Sequence, residues 1–214
     1  MTILITGANR GIGRALLDHY RTDGRAVIGT HRDVAEDGFL SLDVTDPASH
    51  VAMAKALGSA PLDLLVCNAG VYLDKGQGLD GYDAALWAQT FAVNVTGVFL
   101  TIQALLPNLR AGGGKIAIIG SQMGSNTRAP GGSYIYRASK SAVLNLGRNL
   151  ATDLAGEGIA VGVYHPGWVR TDMGGGAAEI DAAAAAAGLV ARFDALSPAT
   201  SGCFETWDGR DHPL

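Results

Sequence analysis

The chain has 214 residues, of which 48% are hydrophobic and 17% charged, a composition typical of a globular protein that buries one sizeable core. Its net charge of −4 provides no basic surface for nucleic acid or for an anionic membrane. The longest apolar stretch is interrupted by Asn94, Thr96 and Gln103, so we expect no membrane span. The first predicted strand follows no basic-then-apolar leader, so we expect no signal peptide and a cytoplasmic location.

Short apolar runs alternate along the chain with longer helical patterns. The runs predict strands at 2–6, 26–30, 39–43, 62–68, 115–121 and 159–165, with a last short strand near 203–207. The helical patterns lie at about 12–22, 47–57, 82–109, 134–155 and 180–194. Nearly continuous apolar strands suit a parallel sheet that is buried on both faces. The pattern predicts one α/β domain over 1–214, with a doubly wound parallel sheet of about seven strands.

The first strand and helix are joined by the glycine-rich turn Gly7-Ala-Asn-Arg-Gly11-Ile-Gly13. Gly7 permits a tight turn, Gly11 lets a pyrophosphate approach the backbone, and Gly13 lets the helix pack closely on the sheet. Three glycines alone are a weak signal, and an ordinary glycine-rich turn is the alternative. Their position between a predicted strand and a predicted helix favours a dinucleotide site.

The end of the second predicted strand indicates which dinucleotide binds. An acidic residue there binds the ribose 2′-hydroxyl of NAD, whereas an arginine suits the 2′-phosphate of NADP. The sequence has Arg32 at this place, and Arg10 in the glycine turn is positioned to add a second positive charge. Either arginine could instead be solvated surface. Together they favour NADP(H) and leave NAD(H) open.

The segment GGSYIYRASK, 131–140, carries the candidate proton donor. A tyrosine can protonate a carbonyl oxygen, but its ordinary pKa of about 10 is too high for efficient proton exchange near pH 7 unless a cation lowers it. Residues i and i+4 share a helical face, so Tyr136 lies beside Lys140, whereas Tyr134 points elsewhere. Ser121, at the end of the fifth strand, would hydrogen-bond the substrate oxygen. The alternatives are a surface Tyr–Lys pair and a serine that only ends a strand.

Motifs along the whole chain resemble, in their order, those of the short-chain dehydrogenase/reductase family. The glycine turn has the family's three-residue gap between its first two glycines. Further matches are Asp43-Val44 at the adenine contact, Asn68-Ala69-Gly70 after the fourth strand, Asn94 in a following helix, Ser121, Tyr136-x-x-x-Lys140, Pro166-Gly167 and Thr171. The segments HPGWVRTDMGG and WDGRDHPL are most similar to the branch of C-factor-like and carbonyl-reductase-like proteins.

The resemblance implies a Rossmann fold with sheet order 3-2-1-4-5-6-7 and a function, the NADP(H)-dependent interconversion of a small-molecule carbonyl and an alcohol. The implied catalytic residues are Ser121, Tyr136, Lys140 and Asn94, which would order a water near Lys140. The implied cofactor-binding residues are Gly7, Asn9, Arg10, Gly11, Ile12, Gly13, His31, Arg32, Asp43, Val44, Asn68, Ala69, Gly70, Tyr136, Lys140, Pro166, Gly167, Val169 and Thr171. His31 stands where NAD-using members carry a carboxylate. The helices at 82–109 and 134–155 would pair in a homodimer.

A second class of function stays open, because some proteins of that branch are discussed as signalling proteins. The chain could be a dinucleotide-binding regulatory protein with little turnover. The sequence does not name a substrate, and we expect the pocket to use Gln122, Met123, Arg128, Trp168 and the segment 173–187. Glycines 174–176 could hinge a lid there.

Other chemistry-bearing residues are expected to be structural. Cys67 and Cys203 are too few for a disulfide framework and are predicted to be reduced thiols. His165, just before Pro166, is predicted to be a structural strand end. No cluster of histidine, cysteine and carboxylate residues has metal-ligand spacing, so we expect no catalytic metal.

Overall fold

One parallel sheet organises the computed structural model, which describes residues 1–33 and 38–214. Its strands are β1 (Thr2–Ile5), β2 (Ala26–His31), β3 (Phe39–Ser41), β4 (Leu64–Cys67), β5 (Lys115–Ile119), β6 (Val161–His165) and β7 (Phe204–Thr206). Their order across the sheet is β3-β2-β1-β4-β5-β6-β7, and every neighbouring pair is parallel. The predicted doubly wound α/β fold and its strand order are confirmed.

Helices cover both faces of the sheet. They are α1 (Gly11–Thr22), α2 (Pro47–Leu57), α3 (Ala84–Phe91), α4 (Gly97–Gly112), α5 (Tyr134–Leu154) and α6 (Ala182–Ala195). Helices α1 and α6 pack together on one face, and α2, α4 and α5 cover the other. Aspartate side chains at Asp46, Asp83 and Asp181 cap the N-termini of α2, α3 and α6 by accepting backbone N–H groups.

The two faces of the sheet bury separate hydrophobic cores. Ile3 and Ile5 point from β1 toward α1 and α6, whereas Leu4 points to the opposite side, and all three side chains are fully buried. This alternation explains the uninterrupted apolar runs, because successive residues of a parallel strand must both be apolar when helices lie on both sides.

The helical run after β4 is less regular than the single helix predicted at 82–109. A π-helical segment, Ala92–Thr96, separates α3 from α4, and the Gly97 N–H donates to the Ala92 carbonyl five residues earlier. The 29-residue run Ala84–Gly112 is long and apolar enough to cross a membrane by length and composition alone. Core helices that pack on a sheet share these properties, and this run packs against β4, α2 and α5.

The carboxyl ends of the central strands meet at one edge of the sheet. The glycine turn follows β1, the Asn68-Ala69-Gly70 turn follows β4, Ser121 follows β5, and Pro166 follows β6. In open parallel sheets, ligands bind outside this edge. The fold therefore brings the predicted site residues to one place from distant parts of the sequence.

Candidate active site

Three glycines shape the turn between β1 and α1, each for its own steric reason. Gly7 and Gly11 have φ angles of +63° and +57°, which favour glycine. A Cβ on Gly7 would lie 3.0 Å from Ala69 Cα, and one on Gly13 would lie 2.3 Å from the Gly7 carbonyl oxygen. A larger residue at Gly7 or Gly13 would therefore displace the turn from the sheet.

The N-terminus of α1 has the chemistry of an anion site. Its N-cap residue, Arg10, makes no side-chain cap hydrogen bond, and the first turn contains no acidic residue. The first N–H groups and the helix dipole are thus directed at the turn, and no carboxylate of the first turn competes for them. Ile12 in this turn lines the cavity described below, and Asn9 is exposed.

The Asn68-Ala69-Gly70 turn braces the glycine turn through hydrogen bonds. Asn68 Nδ2 donates to the carbonyl oxygens of Thr6 (2.9 Å) and Gly7 (3.0 Å). Thr6 Oγ1 in turn accepts the N–H groups of Asn68 and Ala69, each at 3.0 Å. The Asn68 side chain therefore holds the turns after β1 and β4 at a fixed distance.

The residues predicted to bind the adenosine end follow β2 and β3. The Asp43 carboxylate accepts hydrogen bonds from Thr45 N (2.9 Å) and Thr45 Oγ1 (2.7 Å). These bonds lower the pKa of Asp43, and the positive charge of Arg32 lowers it further. Arg32 itself is exposed, and Val44 is buried beside Asp43. A carboxylate and a guanidinium thus flank the ends of two neighbouring strands.

Two other predicted cofactor residues already have partners. The His31 ring packs edge-on against Phe39 with 5.2 Å between ring centroids. Arg10 Nη1 lies 2.9 Å from Asp172 Oδ2 in an exposed ion pair, so its charge is shared with a carboxylate from the segment after β6. Of the two arginines, Arg32 is the one with no salt bridge among the residues that the structure describes.

Ser121, Tyr136 and Lys140 are buried together where β5 ends and α5 begins. Ser121 Oγ accepts the Met123 N–H at 3.1 Å and hydrogen-bonds the Tyr136 side chain. Lys140 Nζ donates to the Ile119 carbonyl oxygen at 2.8 Å and lies 5.7 Å from the centroid of the Tyr136 ring. The structure thus places a hydroxyl, a phenol and an ammonium group in one buried cluster.

Tyr134 lies on a different face of α5. Its side chain is 43% exposed and packs edge-on against Tyr82 with 5.3 Å between ring centroids. Two tyrosines two positions apart are thereby separated into a buried one and a surface one.

The protonation of the buried cluster differs from our expectation. Burial raises the pKa of Tyr136 to about 12, outweighing the hydrogen bond with Ser121 that lowers it. Burial also lowers the pKa of Lys140 to about 8. The expectation of a lowered Tyr136 pKa is wrong for this arrangement. The free energy lost when the phenolate leaves water is larger than the stabilisation that its polar neighbours provide.

Tyr72 and Asp74, which the sequence did not single out, hold the start of α5. The Tyr72 ring stacks on the Tyr136 ring at 4.3 Å with an interplanar angle of 22°. The Asp74 carboxylate is fully buried and accepts the N–H groups of Ile135 (2.9 Å) and Tyr136 (3.3 Å). It therefore satisfies first-turn donors of the helix that carries Tyr136.

The residue that precedes α5 does not cap the helix itself. The residue in the N-cap position, Ser133, has a left-handed φ of +49° and makes no cap hydrogen bond. Its Oγ instead hydrogen-bonds the Tyr72 hydroxyl. The stretch before α5, Gly131-Gly132-Ser133, supplies no carboxylate, so an acceptor from elsewhere was needed.

Asn94 lies in the π-helical segment and is fully engaged by backbone groups and a neighbouring serine. Its Oδ1 accepts the Val71 N–H (2.8 Å), and its Nδ2 donates to the Val71 carbonyl (2.9 Å) and to Ser139 Oγ (3.0 Å). The side chain thus ties the segment after β4 to α5. These contacts are those of a buried structural amide, and the water-ordering role of Asn94 stays a prediction.

The segment after β6 closes one side of a cavity of about 330 Å³. Gly167 has a φ of +85°, and Thr171 lies close enough that a Cβ on Gly11 would be 3.4 Å from its Cγ2. Two helices, α1 and α5, and the loops after β4, β5 and β6 line the cavity, with Ile12, Tyr72, Lys75, Ser121, Gln122, Met123, Tyr136, Pro166, Gly167, Trp168, Val169, Thr171, Met173 and Gly174 among the lining residues. The cavity therefore joins the glycine turn to the buried cluster.

The predicted substrate segment 173–187 divides into two parts. Met173 and Gly174 line the cavity, and Trp168 Nε1 donates to the Gly174 carbonyl at 2.9 Å. From Ala182 onward the chain is α6, in which Ala185 and Ala186 are fully buried. The polyalanine run begins a helix that packs one face on the core, so any lid is confined to the residues before it.

His165 provides a pH-dependent prediction. It is only 8% exposed, and burial lowers its pKa to about 4, with His212 and Arg128 lowering it further and Asp208 opposing them. As pH falls below about 6.5, the unfolded chain binds the proton before the folded protein does. We expect a stability contribution that is complete above pH 6.5 and lost toward pH 4, amounting to about 3 kcal/mol.

Urea unfolding between pH 7 and pH 4 measures this loss, with His165→Asn as the comparison. The wild-type free energy of unfolding should fall more steeply with acidification than that of the variant. Parallel curves for the two proteins would refute the assignment to His165.

Other reactive side chains lie apart from the cluster. Within residues 1–33 and 38–214, no group of three His, Cys, Asp or Glu side chains is arranged to hold a metal ion. Cys67 is a buried free thiol, and burial raises its pKa to about 12. Cys203 is a free thiol that hydrogen-bonds the Tyr164 hydroxyl.

Known proteins share this chain's sequence and fold. The model of the short chain dehydrogenase family matches residues 1–180. C-signal of Myxococcus xanthus is 38% identical over 164 residues, which cover 76% of this chain and 98% of that protein. A 1-hydroxy-2-glutathionyl-2-methyl-3-butene dehydrogenase of Rhodococcus sp. (strain AD45) is 36% identical over 223 residues and 97% of each chain.

Solved structures extend the likeness to the whole chain. The NADPH-bound carbonyl reductase from chicken fatty liver has a TM-score of 0.92 and 29% identity, covering 100% of this chain and 98% of that one. The family match spans most of the chain, and the strand order and the glycine turn agree with it. The chain therefore belongs to the short-chain dehydrogenase family, with C-signal and carbonyl reductases among its relatives, and is an NAD(P)-dependent oxidoreductase.

Proposed function

We propose that the protein uses NADP(H) to reduce the carbonyl of a small molecule to an alcohol, or to catalyse the reverse reaction. The observation that carries this proposal is the buried cluster of Ser121, Tyr136 and Lys140 at the carboxyl ends of the strands, with Ser121 and Tyr136 lining the cavity. A phenol with a hydroxyl and an ammonium beside it is suited to proton transfer at an oxygen.

The residues present fit a dinucleotide. The glycine turn and the open N-terminus of α1 would hold its pyrophosphate, Asp43 and Val44 its adenine, and Arg32 a 2′-phosphate. The nicotinamide half would contact the remaining predicted residues near Asn68-Ala69-Gly70, Lys140 and the Pro166–Thr171 segment. When bound, the cofactor supplies a hydride to the substrate carbon.

Tyr136 donates the proton to the carbonyl oxygen in the direction of reduction. With a pKa near 12, its phenol is protonated at neutral pH and holds the proton that the carbonyl oxygen needs, but burial makes it a weaker acid than an ordinary tyrosine. Ser121 Oγ accepts the Met123 N–H, which holds the serine hydroxyl at the cavity, where it would hydrogen-bond the substrate oxygen. Alcohol oxidation needs the phenolate instead, so we expect the rate of oxidation to rise with pH.

Lys140 and Asn94 support Tyr136 in different ways. Lys140, with a pKa near 8, is largely an ammonium group at neutral pH, and its bond to Ile119 fixes it beside the phenol. Its remaining N–H groups would bind the nicotinamide ribose, as the family resemblance implies. Asn94 acts as a positioning residue, because its amide links the segment after β4 to Ser139 on α5.

The preference for NADPH provides the next prediction. Arg32→Asp removes a guanidinium and introduces the carboxylate that suits a 2′-hydroxyl. We expect NADPH affinity to fall by about 10- to 100-fold and NADH affinity to rise, since a charge-assisted contact contributes about 1.5–3 kcal/mol. Lys55→Asp on α2 makes the same charge change away from the turn, and equilibrium binding of both cofactors compares the two variants. Equal wild-type affinities for NADPH and NADH would contradict the prediction.

The alternative is a dinucleotide-binding signalling protein with little turnover, and the similarity to C-signal supports considering it. NADPH oxidation by the purified protein across a panel of aldehydes and ketones separates the two functions. We expect turnover of at least one member of the panel. Tight NADPH binding without any oxidation would favour the regulatory function.

The proposal includes the form of the protein. We propose one domain over 1–214, a cytoplasmic location and a homodimer. The exposed Trp87 on α3 and Phe99 on α4 support pairing through this helical run, because large apolar side chains at a surface are typical of interfaces.

A further inference from the structure

Lys75 places a positive charge at the mouth of the cavity. Asp74 and Lys75 are neighbours in sequence, but Asp74 is fully buried beneath α5 whereas Lys75 is exposed and lines the cavity. Lys75 Nζ donates to the Met173 carbonyl at 3.4 Å and would lie 3.7 Å from a Cβ on Gly175. The ammonium group therefore reaches across the mouth toward the segment that follows β6.

This charge is not balanced within the described part of the chain. Lys75 forms no ion pair in residues 1–33 and 38–214, and the adjacent Asp74 is committed to the N-terminus of α5. The described cavity lining contains no acidic residue. A second cation, Arg128, hydrogen-bonds the Gln122 side chain, which does line the cavity. Lys75 is therefore the charged side chain of the described cavity lining, and its charge is positive.

We infer that the substrate is a carbonyl compound that also carries an anionic group, which pairs with Lys75. This inference rests on the proposed carbonyl–alcohol activity. Ser121 and Tyr136 receive the carbonyl oxygen inside the cavity, and Lys75 receives the anion at its mouth. The walls between them include Met123, Trp168 and Met173, which suit an apolar spacer.

The size of the cavity limits the substrate further. The cavity of about 330 Å³ lies at the small end of ligand pockets, and part of it is lined by Ile12, Gly167 and Thr171, which are predicted to bind the cofactor. Both polar ends must therefore belong to one compact molecule, such as an aromatic or short aliphatic oxo acid. A lysine is a point charge without the planar fork of arginine, so it recognises the charge more than the shape of the anion.

A matched pair of substrates tests the inference. 4-Formylbenzoate and its methyl ester share the aldehyde and the ring but differ in charge. We expect kcat/KM with NADPH to be higher for the carboxylate. Lys75→Gln should lower kcat/KM for the carboxylate about tenfold, mainly through KM, and change that of the ester less than twofold. Lys75→Arg should keep the preference, and the control Lys55→Gln on α2 should leave both values unchanged.

A binding measurement separates this inference from the proposed function. Calorimetric titration of 4-(hydroxymethyl)benzoate and its methyl ester into the NADPH complex requires no turnover. Tighter binding of the carboxylate that is lost in Lys75→Gln supports the inference even if neither aldehyde is reduced, in which case the proposed function fails for these substrates. Equal binding of carboxylate and ester by the wild type, or an equal loss of both in Lys75→Gln, overturns the role of Lys75.

Discussion

Replacing Tyr136 by phenylalanine is expected to lower carbonyl reduction by about 10²- to 10⁴-fold, the usual contribution of general acid catalysis. The ring is retained, so its stacking on Tyr72 and the packing of α5 should persist. What is lost is the hydroxyl group that hydrogen-bonds Ser121 and carries the proton for the substrate. NADPH affinity should therefore stay within a few-fold of wild type, and the loss should fall on kcat.

Tyr134→Phe is the matched control, because it removes the same atom two residues away. Tyr134 packs on Tyr82 at the surface, so this variant should retain most of its activity. Steady-state kinetics with one accepted substrate and NADPH titration of both variants give the comparison. An inactive Tyr134→Phe beside an active Tyr136→Phe would show that the helical-face argument is wrong.

Asp74→Ala is expected to destabilise the protein by about 3 kcal/mol and to reduce kcat. The change leaves the first-turn N–H groups of Ile135 and Tyr136 without their acceptor in a fully buried place, and charge-assisted hydrogen bonds contribute about 1.5–3 kcal/mol each. Fraying of that turn would move the Tyr136 phenol, so turnover should fall by about tenfold or more even where the protein remains folded.

The exposed cap of α3 provides the comparison for Asp74. Asp83 accepts the Ala85 N–H at 2.9 Å, and losing such a cap typically costs about 1 kcal/mol. Urea unfolding of Asp74→Ala and Asp83→Ala measures the difference, and kinetics at a temperature where both are folded measures the effect on turnover. An Asp74→Ala variant as stable and as active as Asp83→Ala would refute a special role for the buried carboxylate.

The fold could be predicted from the sequence because the patterns that indicate its strands, turns and helices involve neighbouring residues. Apolar runs such as TILIT predicted β1 at 2–6, and the strand is found at Thr2–Ile5. The glycine turn and the Tyr136–Lys140 spacing likewise depend on neighbouring residues. The break at Ala92–Thr96 was missed, since the apolar composition is the same on both sides of it.

What the sequence did not reveal depends on contacts between distant residues. Asp74 meets Ile135 and Tyr136 across about sixty residues of chain, and no spacing motif connects them. The position of Lys75 at the cavity mouth follows from its contact with Met173, which lies 98 residues further along the chain. The pKa of Tyr136 was predicted in the wrong direction. The sequence shows the neighbouring lysine through its helical spacing, but the burial of the phenol, to which the stacked Tyr72 ring contributes, is a property of the folded chain.

The π-helical turn at Ala92–Thr96 acts as a one-residue insertion within a helix. An α-helix advances 100° per residue, so the extra residue turns α4 by about that angle relative to an uninterrupted continuation of α3. Without it, Leu105 and Leu109 would leave the face that packs on the sheet, and the Asn94 amide would lose its alignment with Val71. The number of residues in this segment therefore sets which face of α4 meets the sheet. Deletion of one codon would turn that face away from the core, whereas conservative substitutions would leave it in place.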